Sequence, residues 1–495
     1  MTPSVTVVTP VHNCMPYLED TLASVYHQSL DRAEVEMVVV DDGSTDGSAE
    51  CLARWAERWP QLTVVTQEAS GSASRPRNVG IEHARGEYLF FLDGDDCLAP
   101  MALERLLAIA RRNESDVVLA KIVGVNRKAP GALFRKDVDR ADFSTGIYWS
   151  LVPFKLVRRS MVLQHDLRFP EHMRVSEDQL FVAGCYFAAK RISVLASYDC
   201  YYLVRRRDGS NTSFEGLDYP TILRQAAENV ALVRAETGPG EVRDRCLARH
   251  LKVELLRRIN SRFLAADEQA QREMVELARP YAVDWGTPSV LASFRVPDRL
   301  QLLAVQQGAV DELRTLVGWV DAGAPARVRR RAGSWVVEAP LAGRFPAEAL
   351  RTYDDPQPVA GVDEVWCDRG QVRVVGHALL RGVDSADATV TVLARHRRTE
   401  AVREAVLTTR PTPYLNALEG HGVVDHTVAG FVAELDLAGA RPGRWDLVAR
   451  LVVGDHEAEI RLRAPVGPPD APEETTRVVA GAGGNLLVEV SKSGR

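Results

Sequence analysis

From Val5 to Val123, short apolar runs alternate with amphipathic stretches. Val5-Thr6-Val7-Val8, Val35–Val40, Leu62–Thr66, Tyr88–Leu92 and Val117–Val123 have the length and β-branched content of buried strands. Between them, Leu18, Leu22, Val25 and Tyr26 follow Pro16 at helical spacing, and Leu52, Trp55, Ala56 and Trp59 share one helical face. Pro76–Ala84 and Pro100–Arg112 predict two more helices. Strand and helix in alternation predict an α/β unit with a mostly parallel sheet covered by helices on both faces. In such sheets ligands bind beyond the carboxyl ends of the strands, which directs attention to the residues that follow each run.

The pattern changes twice further along. Tyr219–Glu236, Glu241–Phe263 and Glu268–Leu277 carry apolar residues at three- and four-residue spacing and read as helices. Beyond Ala360 the chain is β-like, with Val372–Val375, Thr389–Ala394, Gly430–Leu435, Trp445–Val453 and Ile460–Leu462 separated by Gly, Asp and Pro, the signature of an Ig-like antiparallel β-sandwich. The expected organisation is an α/β unit over 1–218, a helical region over 219–320, a linker over 321–360 and a β module over 361–495.

Composition narrows the class. The 495 residues carry 61 basic and 67 acidic side chains, a formal charge of −6, so the basic excess of a nucleic-acid binder is missing. No apolar run approaches the length of a membrane span, and the amino-terminal stretch has no export-signal pattern. The 7 cysteines lack CxxC spacing, which disfavours structural zinc and a disulfide framework and fits a reducing cytoplasm.

Candidate chemistry sits where the strands end. Asp93-Gly94-Asp95-Asp96 follows Tyr-Leu-Phe-Phe-Leu directly, and carboxylates at i and i+2 can reach one hard cation, although a solvated turn reads the same way. Asp41-Asp42-Gly43-Ser44 after the second run is an Asx turn and helix cap in its plainest reading. Thr9-Pro10-Val11-His12-Asn13 ends the first run, and Arg75-Pro76-Arg77-Asn78-Val79-Gly80 opens a crossover helix.

These four segments, in this order, resemble the family 2 glycosyltransferases, inverting enzymes with a GT-A nucleotide-sugar fold. The resemblance implies a UDP-sugar donor and a divalent cofactor, Mn²⁺ or Mg²⁺. Pro10 and Val11 would line the uracil, Asp41 would accept from the base, and Asn13, Asp42 and Gly94 belong to the same donor-binding turns. Arg75, with Asn78 beside it, would hold the nucleotide through charge-assisted hydrogen bonds. Asp93 would meet the ribose or the outer sphere of the metal, and Asp95 would be the metal ligand. In Ser176-Glu177-Asp178-Gln179, the resemblance makes Asp178 the general base and Glu177 its orienting neighbour, where the plainer reading is an acidic helix start. Arg206 or Arg207, on a segment that closes over the diphosphate in the family, would clamp phosphate.

Processive synthases of the family carry Gln-x-x-Arg-Trp, which is absent here, so single additions to an existing acceptor are expected. Gly71-Ser72-Ala73-Ser74 before Arg-Pro-Arg-Asn, the helical middle and the β-rich tail resemble the wall teichoic acid glycosyltransferases. That likeness implies N-acetylglucosamine transfer to a polyol-phosphate polymer, self-association through the tail, and a cytoplasmic enzyme, peripheral at the inner membrane face. A hexosyltransferase acting on another capsular or cell-wall glycan, and a non-catalytic binding protein, are the alternatives. Arg205–Arg207, Arg257-Arg258, Arg327 with Arg329–Arg331, and Arg395 with Arg397-Arg398 are candidate tracks for the anionic acceptor.

Overall fold

The computed structural model describes residues 2–129, 131, 133–173, 176–206, 218–324, 326–419, 423–463, 476–481 and 484–491. They form two compact units, residues 1–258 with 272–293, and residues 259–271 with 294–495.

In the first unit the described residues form nine strands, β1 (Val5–Val11), β2 (Val35–Asp42), β3 (Leu62–Gln67), β4 (Tyr88–Phe91), β5 (Cys97–Leu98), β6 (Val117–Val125), β7 (Val138–Ala141), β8 (Lys155–Arg158) and β9 (Ile192–Val204). The path through the sheet is β3-β2-β1-β4-β8-β6-β9-β5, with β7 beside β9. β3, β2, β1 and β4 are mutually parallel, as the alternation predicts. Beyond β4, β8 enters antiparallel between β4 and β6, and the described sheet is mixed. Lys155–Arg158 has only four residues and begins with a cation, so no apolar run announces it.

Helices α1 (Leu18–Tyr26), α2 (Ser48–Arg58), α3 (Ser74–His83), α4 (Ala102–Asn113), α5 (Arg159–Gln164) and α6 (Glu177–Ala188) cover the sheet. One apolar cluster joins α1, α2 and α4 to one face of the sheet, and another joins Ile81 of α3 and Phe181, Val182 and Cys185 of α6 to the opposite face. All eight positions of β2 are buried, Glu36 among them. Burial of that carboxylate is tolerated because Thr6 Oγ1 donates to it at 2.6 Å, Arg85 Nε at 2.6 Å and the Arg85 N–H at 2.9 Å.

Two helices, α7 (Tyr219–Glu236) and α8 (Glu241–His250), follow the sheet. The single long helix expected over Glu241–Phe263 is instead broken by one π-helical turn, Leu251–Leu255. The second unit contains helices at Val296–Gln307 and Val310–Asp321, then antiparallel sheets. Residues 321–360, read as a linker, carry a three-stranded sheet of Arg327–Arg331, Ser334–Glu338 and Arg351–Thr352. Beyond it, two antiparallel sheets share one core in which Trp335, Val374, Leu435, Trp445 and Val488 are buried. Strands at Pro358–Asp368, Val406–Arg410, Thr476–Ala480 and Leu486–Val490 add to those the spacing predicts.

Candidate functional site

The carboxyl ends of β1, β2, β3 and β4 lie along one edge, because parallel register places Val11 opposite Asp41 and Asp41 opposite Thr66. The turns beyond β1 and β2 are laced together. The Asn13 N–H donates to Ser44 Oγ at 3.1 Å, and the Thr45 N–H donates back to Asn13 Oδ1 at 2.8 Å. The Met15 N–H donates to Asp46 Oδ2 at 2.8 Å and His12 Nδ1 to the Asp42 carbonyl at 2.7 Å. Asn13 holds φ 50°, the left-handed region that Asn tolerates better than most residues.

After β4 the chain turns at Gly94, where a Cβ would stand 2.9 Å from Cys14 Sγ and 3.1 Å from both the Pro10 carbonyl oxygen and Val11 Cγ2. That close approach sets Asp93, Asp95 and Asp96 against the end of β1. Three carboxylates in one turn repel one another, and each meets a different partner. Asp93 faces Arg77 at 2.8 Å, and Asp95 pairs with Arg206 Nε at 2.7 Å. Asp96 is buried, accepting from the Tyr201 hydroxyl at 2.6 Å and the Val204 N–H at 2.7 Å. Burial and the neighbouring Asp93 and Asp95 charges push the Asp96 carboxyl up to about 8. Burial and Asp93 also raise Asp95, against the pull of Arg206.

Arg77, on the buried face of α3, ties this cluster to the start of α6. Its guanidinium reaches Glu177 at 3.1 Å on its other side and lies over the Phe169 ring at 5.2 Å. Next to Glu177, Asp178 is half-buried, and burial together with the Glu177 charge pushes its carboxyl up to about 7, while Arg77 and Arg249 act in the opposite direction. The edge thus holds a carboxylate turn, a buried arginine and a second acidic pair in one continuous arrangement.

Residues 6–174 match the model of glycosyl transferase family 2, and residues 220–317 match that of the glycosyl transferase TarS linker domain. Residues 6–174 are a family 2 glycosyltransferase domain. Over 214 residues the chain is 36% identical to a poly(ribitol-phosphate) beta-glucosyltransferase of Bacillus spizizenii, covering 42% of this chain and 33% of that protein. Over 209 residues it is 33% identical to the poly(ribitol-phosphate) beta-N-acetylglucosaminyltransferase TarS of Staphylococcus aureus, covering 42% of this chain and 36% of that protein. The matched region therefore spans about a third of the length of these curated relatives. The crystal structure of S. aureus TarS 1–349 in complex with UDP-GlcNAc superposes with a TM-score of 0.60 at 26% identity, covering 68% of this chain and 97% of that one.

The sequence-predicted donor and metal residues fall into three groups. Pro10, Val11, Asp41, Asp93, Gly94, Asp95 and Arg206 converge at the strand ends, where Asp41 accepts only from the Ser44 N–H among the described residues, at 3.1 Å. Asn13, Asp42 and Asn78 also lie there, but their side chains are engaged with the scaffold. Asp42 accepts from Gln67 Nε2 at 2.6 Å, from Ser70 Oγ at 2.9 Å and from the Ser70 N–H at 3.0 Å, which holds the loop leading into α3. Asn78 pairs in both directions with the Phe169 backbone, at 2.8 and 2.9 Å, and fixes the segment ahead of Glu177. Arg75 is exposed on α3, one residue out of phase with the buried face, and Arg207 lies outside the described residues.

Arg77 and Lys155 are residues beside the site that the sequence reading passed over, and Gln179 is a third, buried behind the acidic pair. Ser74, Arg77, Asn78 and Ile81 recur at i, i+3, i+4 and i+7, so helical phase alone puts Arg77 on the inner face and Arg75 outside. Lys155 is buried, donates to the Val152 carbonyl and is held down to about 7 by burial, which outweighs the Asp178 charge.

A hard divalent ion fits this donor set. Asp95 is a largely buried carboxylate raised by burial and by Asp93, so added positive charge beside it relieves both. Among the described residues no three His, Cys, Asp or Glu side chains converge to hold a metal. One carboxylate plus substrate phosphates is the usual Mg²⁺ arrangement, so Asp95 alone is compatible with it. Five of the arginines proposed as an acceptor track are paired with acids: Arg327 with Asp384, Arg329 with Glu338, Arg330 with Asp455, Arg395 with Glu459 and Arg397 with Asp446. Arg205 is exposed beyond β9.

Proposed function

We propose that this protein is an inverting, non-processive transferase that moves a sugar from a UDP-sugar to a hydroxyl of a polyol-phosphate polymer of the teichoic acid kind. The observation that carries the reading is Arg77, which joins Asp93 of the strand-end turn to Glu177 of the acidic pair and so makes one site of two sequence-distant motifs.

In this reading the nucleotide lies against Pro10, Val11 and Asp41, with the diphosphate toward Asp95 and Arg206. Asp178 accepts the proton of the acceptor hydroxyl as its oxygen attacks the anomeric carbon. The new C–O bond forms as the bond to the β-phosphate oxygen breaks on the opposite face, and UDP leaves with the electron pair. A carboxyl raised toward neutrality is a better proton acceptor at pH 7 than an ordinary aspartate and still largely ionised above it. Glu177, fixed by Arg77, orients the acceptor or the base. Asp95 would hold Mn²⁺ or Mg²⁺, which when bound stabilises negative charge on the departing diphosphate.

N-acetylglucosamine is the proposed sugar, supported by the likeness to TarS and its UDP-GlcNAc complex. Glucose is the second reading, favoured by the likeness to the Bacillus glucosyltransferase. We place the reaction in the cytoplasm, since all seven cysteines are free thiols, and assign residues 361–495 to self-association or polymer binding. The test is a panel of UDP-sugars with Mn²⁺, with and without poly(ribitol phosphate) or poly(glycerol phosphate). Transfer from UDP-GlcNAc or UDP-glucose to polymer is expected, and turnover of none of the donors refutes the proposal.

A further inference from the structure

Behind the acidic pair lies a cluster of buried polar side chains that donor and acceptor chemistry does not use. Gln179, Arg249, His250, Glu254 and Tyr148 are each at least nine-tenths buried. Gln179 directly follows Asp178 in the first turn of α6. Its Oε1 accepts from Arg249 Nη1 at 2.8 Å, and its Nε2 donates to Ser176 Oγ at 3.2 Å and to Glu254 Oε1 at 3.3 Å. Arg249 Nη1 also donates to Glu254 Oε1, at 2.6 Å, which uses both of its N–H groups.

His250 completes the set. Glu254 can only accept, so the 3.2 Å contact makes His250 Nδ1 the protonated nitrogen, and Nε2 then accepts from the Tyr148 hydroxyl at 3.0 Å. Burial holds His250 low and therefore neutral, leaving Arg249 and Glu254 as the charges of the cluster.

The π-helical turn explains how these groups meet. In a regular α-helix, residues five apart point well away from each other. Widening the helix over Leu251–Leu255 brings Glu254 back beneath Arg249 while His250, four residues before it, stays on the same side. A buried ion pair is weak evidence for stability, since apolar residues of similar volume often serve as well. This pair sits instead against the one turn that carries Glu177 and Asp178.

We propose that Arg249 and Glu254 are positioning residues for Asp178, acting through Gln179: together they hold the first turn of α6 and set the field at the base carboxylate. This rests on the reading of Asp178 as general base. The charged groups facing Asp178 are Glu177 on its own helix, Arg77 from α3, Lys155 from β8 and Arg249 from α8. Glu254 balances Arg249, and Asp93 balances Arg77.

The full chain would be compared with Arg249→Gln, Glu254→Gln and the double replacement Arg249→Met with Glu254→Leu, which removes both charges together and keeps a packed core. Transfer from the UDP-sugar that the wild type turns over is followed against pH, UDP affinity by calorimetry, and amide hydrogen exchange across 176–182. Losing Arg249 should move the acid limb of kcat to higher pH and losing Glu254 to lower pH. The double variant should keep the wild-type limb and UDP affinity while kcat falls by about 10²-fold, the scale of an ångström-sized misplacement, with faster exchange in the first turn of α6. Limbs that move together or not at all, a kcat loss matched by lost UDP affinity, or unchanged exchange in the double variant overturns the proposal. Should the wild type turn over no UDP-sugar, the functional reading fails by itself, and the exchange comparison still decides whether the pair holds that turn.

Discussion

Arg77 donates to Asp93 at 2.8 Å from a side chain that is only 5% exposed, and that contact fastens the β4 turn to α3. Its second arm reaches Glu177, so one guanidinium balances two carboxylates from separate motifs. Removing it leaves both charges facing each other without compensation. Arg77→Gln should lower stability by about 3 kcal/mol, as when one partner of a buried pair is lost, and abolish transfer. Arg77→Lys should recover part of the stability but little activity, because an ammonium cannot fork between two acids. Denaturant midpoints alongside transfer rates check both, and an active Arg77→Gln protein would remove Arg77 from the site.

Gly94 gives a steric test of how tightly the strand ends are packed. The methyl of Gly94→Ala would press on Cys14 Sγ, the Pro10 carbonyl oxygen and Val11 Cγ2. Overpacking of this size costs about 1–3 kcal/mol, and here it should also push Pro10 and Val11 from the proposed nucleotide position. Calorimetry should show weakened UDP binding, whereas unaltered affinity would place the uracil elsewhere.

Asp178 carries opposite expectations for activity and stability. Its folded carboxyl sits near 7, above the usual aspartate value of 3.8. Between those values the folded state holds a proton that the unfolded chain has released, so this group's contribution to stability falls as pH rises. In the proposed reaction activity rises through the same window, because the base works when ionised. Asp178→Asn should lose about 10²–10⁴ in rate while retaining UDP affinity. It should melt above the wild type at pH 8, with the difference shrinking toward pH 5. A variant less stable than wild type at pH 8 would contradict the raised carboxyl.

Asp95 and Arg206 form a compensated pair, with both side chains largely buried. Asp95→Asn should raise the Mn²⁺ concentration needed for half-maximal turnover and leave metal-free UDP binding unchanged. Arg206→Gln should do the reverse, weakening UDP binding while leaving the metal requirement in place. Metal titrations of both variants separate the two roles, and indifference to Mn²⁺ in the wild type would withdraw the metal from the proposal.

β1, β2 and β4 were legible because they are almost wholly buried and appear as mainly apolar runs, and β3, half-buried at the edge, was legible through Leu62, Val64 and Val65. β8 was not, since it opens with Lys155 and spans four residues. The break after His250 was hidden for a related reason, because a π turn inserts one residue into an apolar period that otherwise looks continuous. At the site, Asp41, Asp93, Asp95 and Asp178 stand out as carboxylates at strand or helix ends. Motif matching selected Arg75, whereas helical phase selects Arg77. Asp42 and Asn78 share motifs with the proposed donor residues, yet only hydrogen-bond geometry reveals that they brace loops.

The reciprocal lacing of Asn13 with Ser44 and Thr45, reinforced by Met15 on Asp46, has a thermodynamic consequence. Two loops that could each wander are cast as one rim before any nucleotide arrives. In the proposed reaction, capture of the uridine end should therefore proceed with little loss of conformational entropy, and its heat of binding should report new contacts almost undiluted by loop ordering.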